Sequence, residues 1–372
     1  MKRRILPFAL LIASSVVAYA CSDSSSSDPG TNTNPEAGAN PETGSIEPDG
    51  GTNPDSSTNP DSSVNPNTNP IEGIAAPKLL ATIPGDQFAD GPQFINGALL
   101  VAVPLAQGNA PDRGPGLLVS IDPANGTITE IVSRAGDGVN KGPVGNSIDK
   151  GGNLITAERK QVTRSAADGG APAVLSLGYN VDGGFVPFDS PNDLVARLSD
   201  NTIYVTDPGY FGTPVSNHLV RILPDGGGVL AEDFADVPKP NGIALSKDEK
   251  TLFVGFTDPF PGKTKPIIRS YDVNANGTLG ASKQFAELPM GSEPDGLAID
   301  SNGNLYVAFK AGINVYKADG TRFGAEPSIP LATANGGATG LTFGGADKLS
   351  LYVTTGSGKI YEVRVKVPGL AQ

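Results

Sequence analysis

Cysteine and histidine occur once each in this chain of 372 residues, methionine twice and tryptophan not at all. One cysteine cannot build an internal disulfide framework or a cysteine zinc site. One histidine excludes multi-histidine metal centres and proteases of the HExxH type. Basic residues are in the minority, 27 Lys and Arg against 39 Asp and Glu, for a formal net charge of −12. That balance argues against a nucleic-acid partner, because phosphate contacts need clustered cations. What remains is oxygen chemistry: carboxylates, amides, hydroxyls and the hard metals that favour them. Glycine and proline are instead abundant, at 48 and 33 residues. No Gly-X-Y period runs through them, so collagen is excluded.

The charge is unevenly placed. Residues 1–20 carry Lys2, Arg3 and Arg4, no acid, and an apolar run from Ile5 to Ala20. A basic start, a short apolar core and small residues at its end form a secretory signal. The run is too short for a membrane helix, which needs about 20 apolar residues. Its end, Val17-Ala18-Tyr19-Ala20-Cys21, resembles the lipobox of bacterial lipoproteins. The expectation is a lipid anchor on Cys21 and a place in the cell envelope, with Ser22 pointing to the outer membrane or cell surface; the alternative is ordinary cleavage and secretion. Residues 21–75 read as a tether. After Cys21 they hold nine acids, no Lys or Arg, no aromatic residue and six Asn-Pro steps. Such a segment cannot bury enough apolar surface to offset chain ordering. The signal's +3 and the tether's −9 leave only −6 on residues 76–372, a segment long enough for a full core.

That segment repeats six times. The copies start at Asp90, Asn146, Asn192, Asn241, Asp295 and Thr339, at spacings of 56, 46, 49, 54 and 44 residues. Each opens with a polar residue, then an apolar alternation, an Asp/Asn/Gly turn and a β-rich run, which reads as a hairpin. A further pair of strand-like runs follows each one. Four strands per period, with no helical pattern, predict an all-β fold: a six-bladed β-propeller of four-stranded antiparallel blades. Pro77–Pro84 supplies a strand ahead of the first copy and Lys359–Val367 supplies strands at the end, so the termini are expected to share one blade and close the ring. Gly226-Gly-Gly228 reads as a hairpin turn, and His218 as a blade-edge residue without a catalytic role.

In a propeller the first strand of each blade lines the channel. The opening residues Asp90, Asn146, Asn192, Asn241, Asp295 and Thr339 therefore form an expected ring at one mouth. Their oxygens suit Ca²⁺ or Mg²⁺, with Mn²⁺ possible. The alternative is a set of Asx turns with no metal.

Three stretches carry a family resemblance: Ser190-Pro-Asn-Asp193 with Ile203-Tyr-Val-Thr-Asp-Pro208, Pro240-Asn-Gly-Ile-Ala-Leu245, and Pro294-Asp-Gly-Leu-Ala-Ile-Asp300. They resemble the senescence-marker-protein/gluconolactonase/luciferin-regenerating-enzyme family. The resemblance implies one divalent cation, often Ca²⁺ or Zn²⁺, in the channel and hydrolysis of sugar-derived or other small lactones. Carried over, Asp90, Asn241 and Asp295 hold the ion, Asn192 contacts substrate or metal, and Asp295 handles the proton. Two positions depart from the family pattern. Asp90 stands where the family has Glu, so it reaches the ion through water or the backbone shifts. Arg159 follows Glu158 where the family has His; it binds an anionic substrate group or pairs with Glu158. Asn146 and Arg159 thus join Asn192 as candidates for substrate or metal. A non-catalytic surface propeller that binds a carbohydrate or protein is the second reading.

Overall fold

The computed structural model describes residues 64–370, apart from 86, 105–115, 135–141, 159, 211–216, 234–238 and 332–335. The signal segment with Cys21, most of the expected tether, and Arg159 lie outside the described residues. All described regular structure is β, in six sheets arranged as the blades of a propeller. Blade one opens with Asp90–Ile95, blade two with Pro143–Ile148, blade three with Leu194–Ala196, blade four with Pro240–Leu245, blade five with Leu297–Ile299 and blade six with Ala338–Gly344. Each of these inner strands pairs antiparallel with the strand that follows it. Blade six takes its outer strand, Lys78–Thr82, from ahead of blade one, which closes the ring as the sequence predicts.

Two features differ from the sequence reading. Five sheets have four strands, but the sheet of blade three has six. The extra pair is a hairpin, Gly178–Val181 with Gly184–Pro187, whose first strand joins Gly228–Asp233 in parallel. Its turn is Asp182-Gly183 with φ of 48° and 80°, the two left-handed residues that a type I′ hairpin turn needs. The ordered unit also begins ahead of residue 76. Asn302 Nδ2 donates to Asn65 O at 3.1 Å, and Lys366 N donates to Pro70 O at 2.9 Å. Ile71 and Ile74 pack against the core between blades five and six. These are apolar side chains in an otherwise polar stretch, and they find a surface on which to be covered.

The second strands of the blades are buried along most or all of their length, completely in Leu154–Glu158, Ile203–Asp207 and Leu305–Phe309. Both faces of such a strand meet a neighbouring blade, so polar–apolar alternation gives way to a mostly apolar run whose polar members, such as Thr156 and Thr206, are buried and hydrogen-bonded. Six hydrophobic clusters fill the spaces between successive blades. The inner strands approach one another more closely still. A Cβ built on Gly242 would lie 1.7 Å from Asp295 O, one on Gly145 2.6 Å from Asn192 O, one on Gly296 2.7 Å from Thr339 O, and one on Gly91 2.0 Å from Val144 O. Glycine recurs here because main chain meets main chain around the channel.

Candidate metal and active site

Strand pairing tests the alignment of the ring. In blade four Leu245 faces Leu252 and Ile243 faces Val254. In blade two Ile148 faces Leu154 and Asn146 faces Thr156. Asn146 therefore occupies the place of Ile243, and Val144 is the blade-two counterpart of Asn241. The sequence alignment set Asn146 two residues too early. Its side chain is also spent: Nδ2 donates to Gly91 O at 2.6 Å and Oδ1 accepts from Thr156 Oγ1 at 2.8 Å, stitching blade two to blade one. Thr339 is in register, but its hydroxyl bonds Ala89 O at 2.6 Å and lies 2.9 Å from Thr354 Oγ1. Asp90, Asn192 and Asp295 line the channel cavity, although by pairing Asp90 faces Ala102 as Pro240 faces Phe256, one step ahead of the place of Asn241.

The sequence reading passed over Asp193. It follows Asn192 at the position where blades two, four, five and six carry glycine. Asp193 Oδ1 accepts from its neighbour Leu194 N at 2.9 Å and Oδ2 from Ile243 N at 3.2 Å, a tie across to blade four. With Asp90, Asn192 and Asp295 it lines a channel cavity of about 90 Å³, reached from the far end by Leu370 near the C-terminus.

Three acids so placed act on one another. Burial raises Asp90 to about 8, helped by the charge of Asp193, while the bond from Gly91 N at 2.8 Å pulls it back in part. Burial raises Asp193 to about 7 against two opposing backbone bonds. Asp295 is pushed well above the usual carboxylate range by burial, then by the charges of Asp90, Asp193 and Glu293, with a hydrogen bond from Asn241 opposing. The consequence for stability has a definite sign. The folded protein holds these protons to a higher pH than the unfolded chain does, so stability is greatest below about pH 4 for these groups and falls as pH rises through 7 to 8. In chelator, the melting temperature is expected to drop by roughly 5 °C or more between pH 5 and pH 8; a flat or rising profile would contradict the repulsion among these carboxylates.

The rim above the ring is built from blades three and four. Tyr210 N donates to Ser190 Oγ at 2.8 Å, and its phenol oxygen lies 3.4 Å from Thr257 Oγ1. Lys239 Nζ sits 5.2 Å from the centre of the Tyr210 ring. Asp207, raised by burial to about 6, accepts from the amides of Asp189 and Ser190 and so braces the turn ahead of Asn192. Glu158 is buried and accepts from Gln161 Nε2 and Thr163 Oγ1. His218 begins a blade-three strand, where its Nδ1 takes a short hydrogen bond with the Tyr179 hydroxyl, a packing arrangement away from the ring.

A hard cation fits this set on two observations. Asn241 Oδ1 is buried with no hydrogen-bond partner among the described residues, a costly state for an acceptor unless something positive meets it. The repelling carboxylates beside it would be relieved by positive charge. Among the described residues, no three His, Cys, Asp or Glu side chains group tightly enough to hold an ion by themselves. The Asn241 amide oxygen is the further donor that the ring offers beside its carboxylates.

Comparison with known proteins supplies the frame. Residues 97–357, well over half of the chain, match the SMP-30/gluconolactonase/LRE-like region. A gluconolactonase of Zymomonas mobilis is 34% identical over 174 residues, which cover 42% of this chain and 47% of the relative. A pentonolactonase of Haloferax volcanii is 31% identical over 177 residues, 46% of this chain and 55% of the relative. The matched stretches thus span about half the length of each relative. Among solved structures, a gluconolactonase from Xanthomonas campestris superposes with a TM-score of 0.59 at 24% identity, covering 80% of this chain and 97% of that one. The calcium-binding protein regucalcin from Agrobacterium tumefaciens gives 0.59 at 15% identity, covering 80% and 96%; at such identities the likeness is one of fold. With the family match running through all six blades, this chain belongs to the SMP-30/gluconolactonase/LRE-like family.

Proposed function

We propose that the protein is a metal-dependent hydrolase of small lactones that works at the cell envelope. The observation that carries this reading is the group of Asp90, Asp193 and Asp295 lining the channel beside the buried, unpartnered Asn241 Oδ1, in a family whose named relatives include a gluconolactonase and a pentonolactonase. Asp90, Asn241 and Asp295 would hold one divalent cation, with Asn192 and Asp193 beside them. Ca²⁺ is favoured by the all-oxygen donors and by the calcium-binding neighbour of the same fold, with Zn²⁺, Mg²⁺ and Mn²⁺ as the alternatives. Bound there, the ion would supply Lewis-acid polarisation of the lactone carbonyl.

The protein's own groups do the rest. Asp295, ionised beside a bound cation that offsets its burial and the charges of Asp90 and Asp193, would take the proton of an attacking water. That proton then goes to the ring oxygen as the acyl–oxygen bond breaks, giving a hydroxy acid. Asn192, half-exposed at the start of blade three with its own amide bonded to Thr206 O at 2.8 Å, is placed to meet the substrate. For location, the lipobox-like end at Cys21 supports a lipid anchor. The segment around Asn65 is bonded to the Asp300–Asn304 turn of blade five, so the tether would meet the propeller there.

One experiment tests both halves. Envelope and soluble fractions of a bacterial host expressing the full chain are assayed on sugar lactones in EDTA and after adding back Ca²⁺, Zn²⁺, Mg²⁺ or Mn²⁺. Activity in the envelope fraction, lost in EDTA and restored by one cation, is the expected result, and Cys21→Ser should move it to the soluble fraction. Absence of cation-dependent hydrolysis on any lactone would remove the enzyme reading and leave the binding propeller.

A further inference from the structure

The side-chain amide of Asn241 has a donor end and an acceptor end, and the structure shows what separates them. Nδ2 donates to Thr257 Oγ1 at 3.3 Å, on the side of the amide that faces the Asp295 carboxyl. Oδ1 is left buried without a partner. Turned over, the amide would set its oxygen against the Asp295 carboxylate, and Thr257 would have to give it the proton that it otherwise gives to Tyr210.

We propose that Thr257 is a positioning residue, whose hydroxyl fixes the Asn241 amide so that Oδ1 is presented to the channel cation. This rests on the cation reading above. Thr257 follows directly on the second strand of blade four, Thr251–Phe256, and its N–H donates to Lys239 O at 3.0 Å. The hairpin thus pins it opposite the start of the inner strand. Its hydroxyl also lies 3.4 Å from that of Tyr210, so it can hand its own proton to the phenol oxygen and keep lone pairs for Asn241. Tyr210 is itself held by the bond from its amide to Ser190 Oγ. A connected path results from the rim through Tyr210 and Thr257 to Asn241 and Asp295. Partners of this kind, one step removed from the ion, usually change metal affinity by about 10–100-fold when removed.

The test is calorimetric titration of Ca²⁺ into the chelator-stripped full chain, with melting curves to confirm folding. Thr257→Val keeps the shape and loses the hydroxyl; it is expected to weaken binding at least about tenfold. Thr257→Ser keeps the hydroxyl and loses the methyl, and should stay within about threefold of the parent. Thr257→Ala repeats the loss if the valine variant does not fold. Parent-like affinity in the variants without the hydroxyl overturns the inference, as does a serine variant as weak as the valine one, which would make the contact mere packing. Failure of the parent to bind any of Ca²⁺, Zn²⁺, Mg²⁺ or Mn²⁺ overturns the cation reading itself, and this inference with it.

Discussion

Asp295→Ala is expected to cost at least about a thousandfold in kcat/KM for lactone opening, the size of effect that a lost general base alone brings, while the protein becomes more stable in chelator. The two effects share a cause. Asp295 lines the channel with Asp90 and Asp193, and desolvation there, with the charges of Asp90, Asp193 and Glu293, pushes its carboxyl toward the neutral form. Removing it takes away a repulsion that the fold tolerates only for the sake of the site. A residue with a merely structural role would show the opposite stability effect. Asp295→Asn separates the two proposed roles of the side chain: it retains an oxygen donor for the cation but cannot take a proton. Its kcat should fall nearly as far as that of the alanine variant, with a smaller loss of cation affinity. An asparagine variant keeping more than about a tenth of the parent kcat would strip Asp295 of its role as base. An alanine variant that melts lower than the parent in chelator at pH 8 would show that the carboxylate supports the fold.

The propeller could be read from the sequence because each blade spends its residues alike: a polar start, a run of alternating apolar residues, a turn. The closing strand at Lys78–Thr82 followed from counting strands at both ends. The extra hairpin of blade three was there to be found in Asp182-Gly183, but it breaks the four-strand period and a periodic reading passes over it. The misplaced Asn146 has a sharper cause. The first polar residue of a copy is an uncertain marker of register, whereas main-chain proximity selects the glycine one step further on. Alignment on Gly145, Gly242, Gly296 and Gly340 sets Val144 in the ring and shifts Asn146 down the channel, as the strand pairing requires. The same alignment draws out Asp193, which stands where a glycine is expected and sends its carboxylate to Ile243 N in the next blade. Thr257 had no such signal. It is brought to Asn241 only by the hairpin of blade four, across 16 residues of sequence, and one threonine among many carries no mark of that.

The glycine ring makes the other large prediction. Gly242 sits directly after Asn241, and a Cβ there would lie 1.7 Å from the carbonyl oxygen of Asp295, 2.7 Å from its carbonyl carbon and 3.1 Å from Gly296 Cα. All three atoms are main chain, so no side chain can swing aside; blade four or blade five has to move. Such a shift is cheap at a surface but costly here, because both inner strands also meet the packed core between the two blades. Gly242→Ala is therefore expected to destabilise the propeller by about 3 kcal/mol or more, toward the upper end for overpacking, which lowers the melting temperature by roughly 6–12 °C. Gly184→Ala serves as the control: its Cβ would meet only Val181 O, at 3.6 Å, and should leave melting nearly unchanged. The alanine at 242 should also weaken cation binding, since any movement that relieves the clash displaces Asn241 or Asp295. Melting of Gly242→Ala within about 2 °C of the parent would mean that the blades have slack at the channel. The close contact of main chain with main chain would then no longer explain why glycine recurs beside the ring.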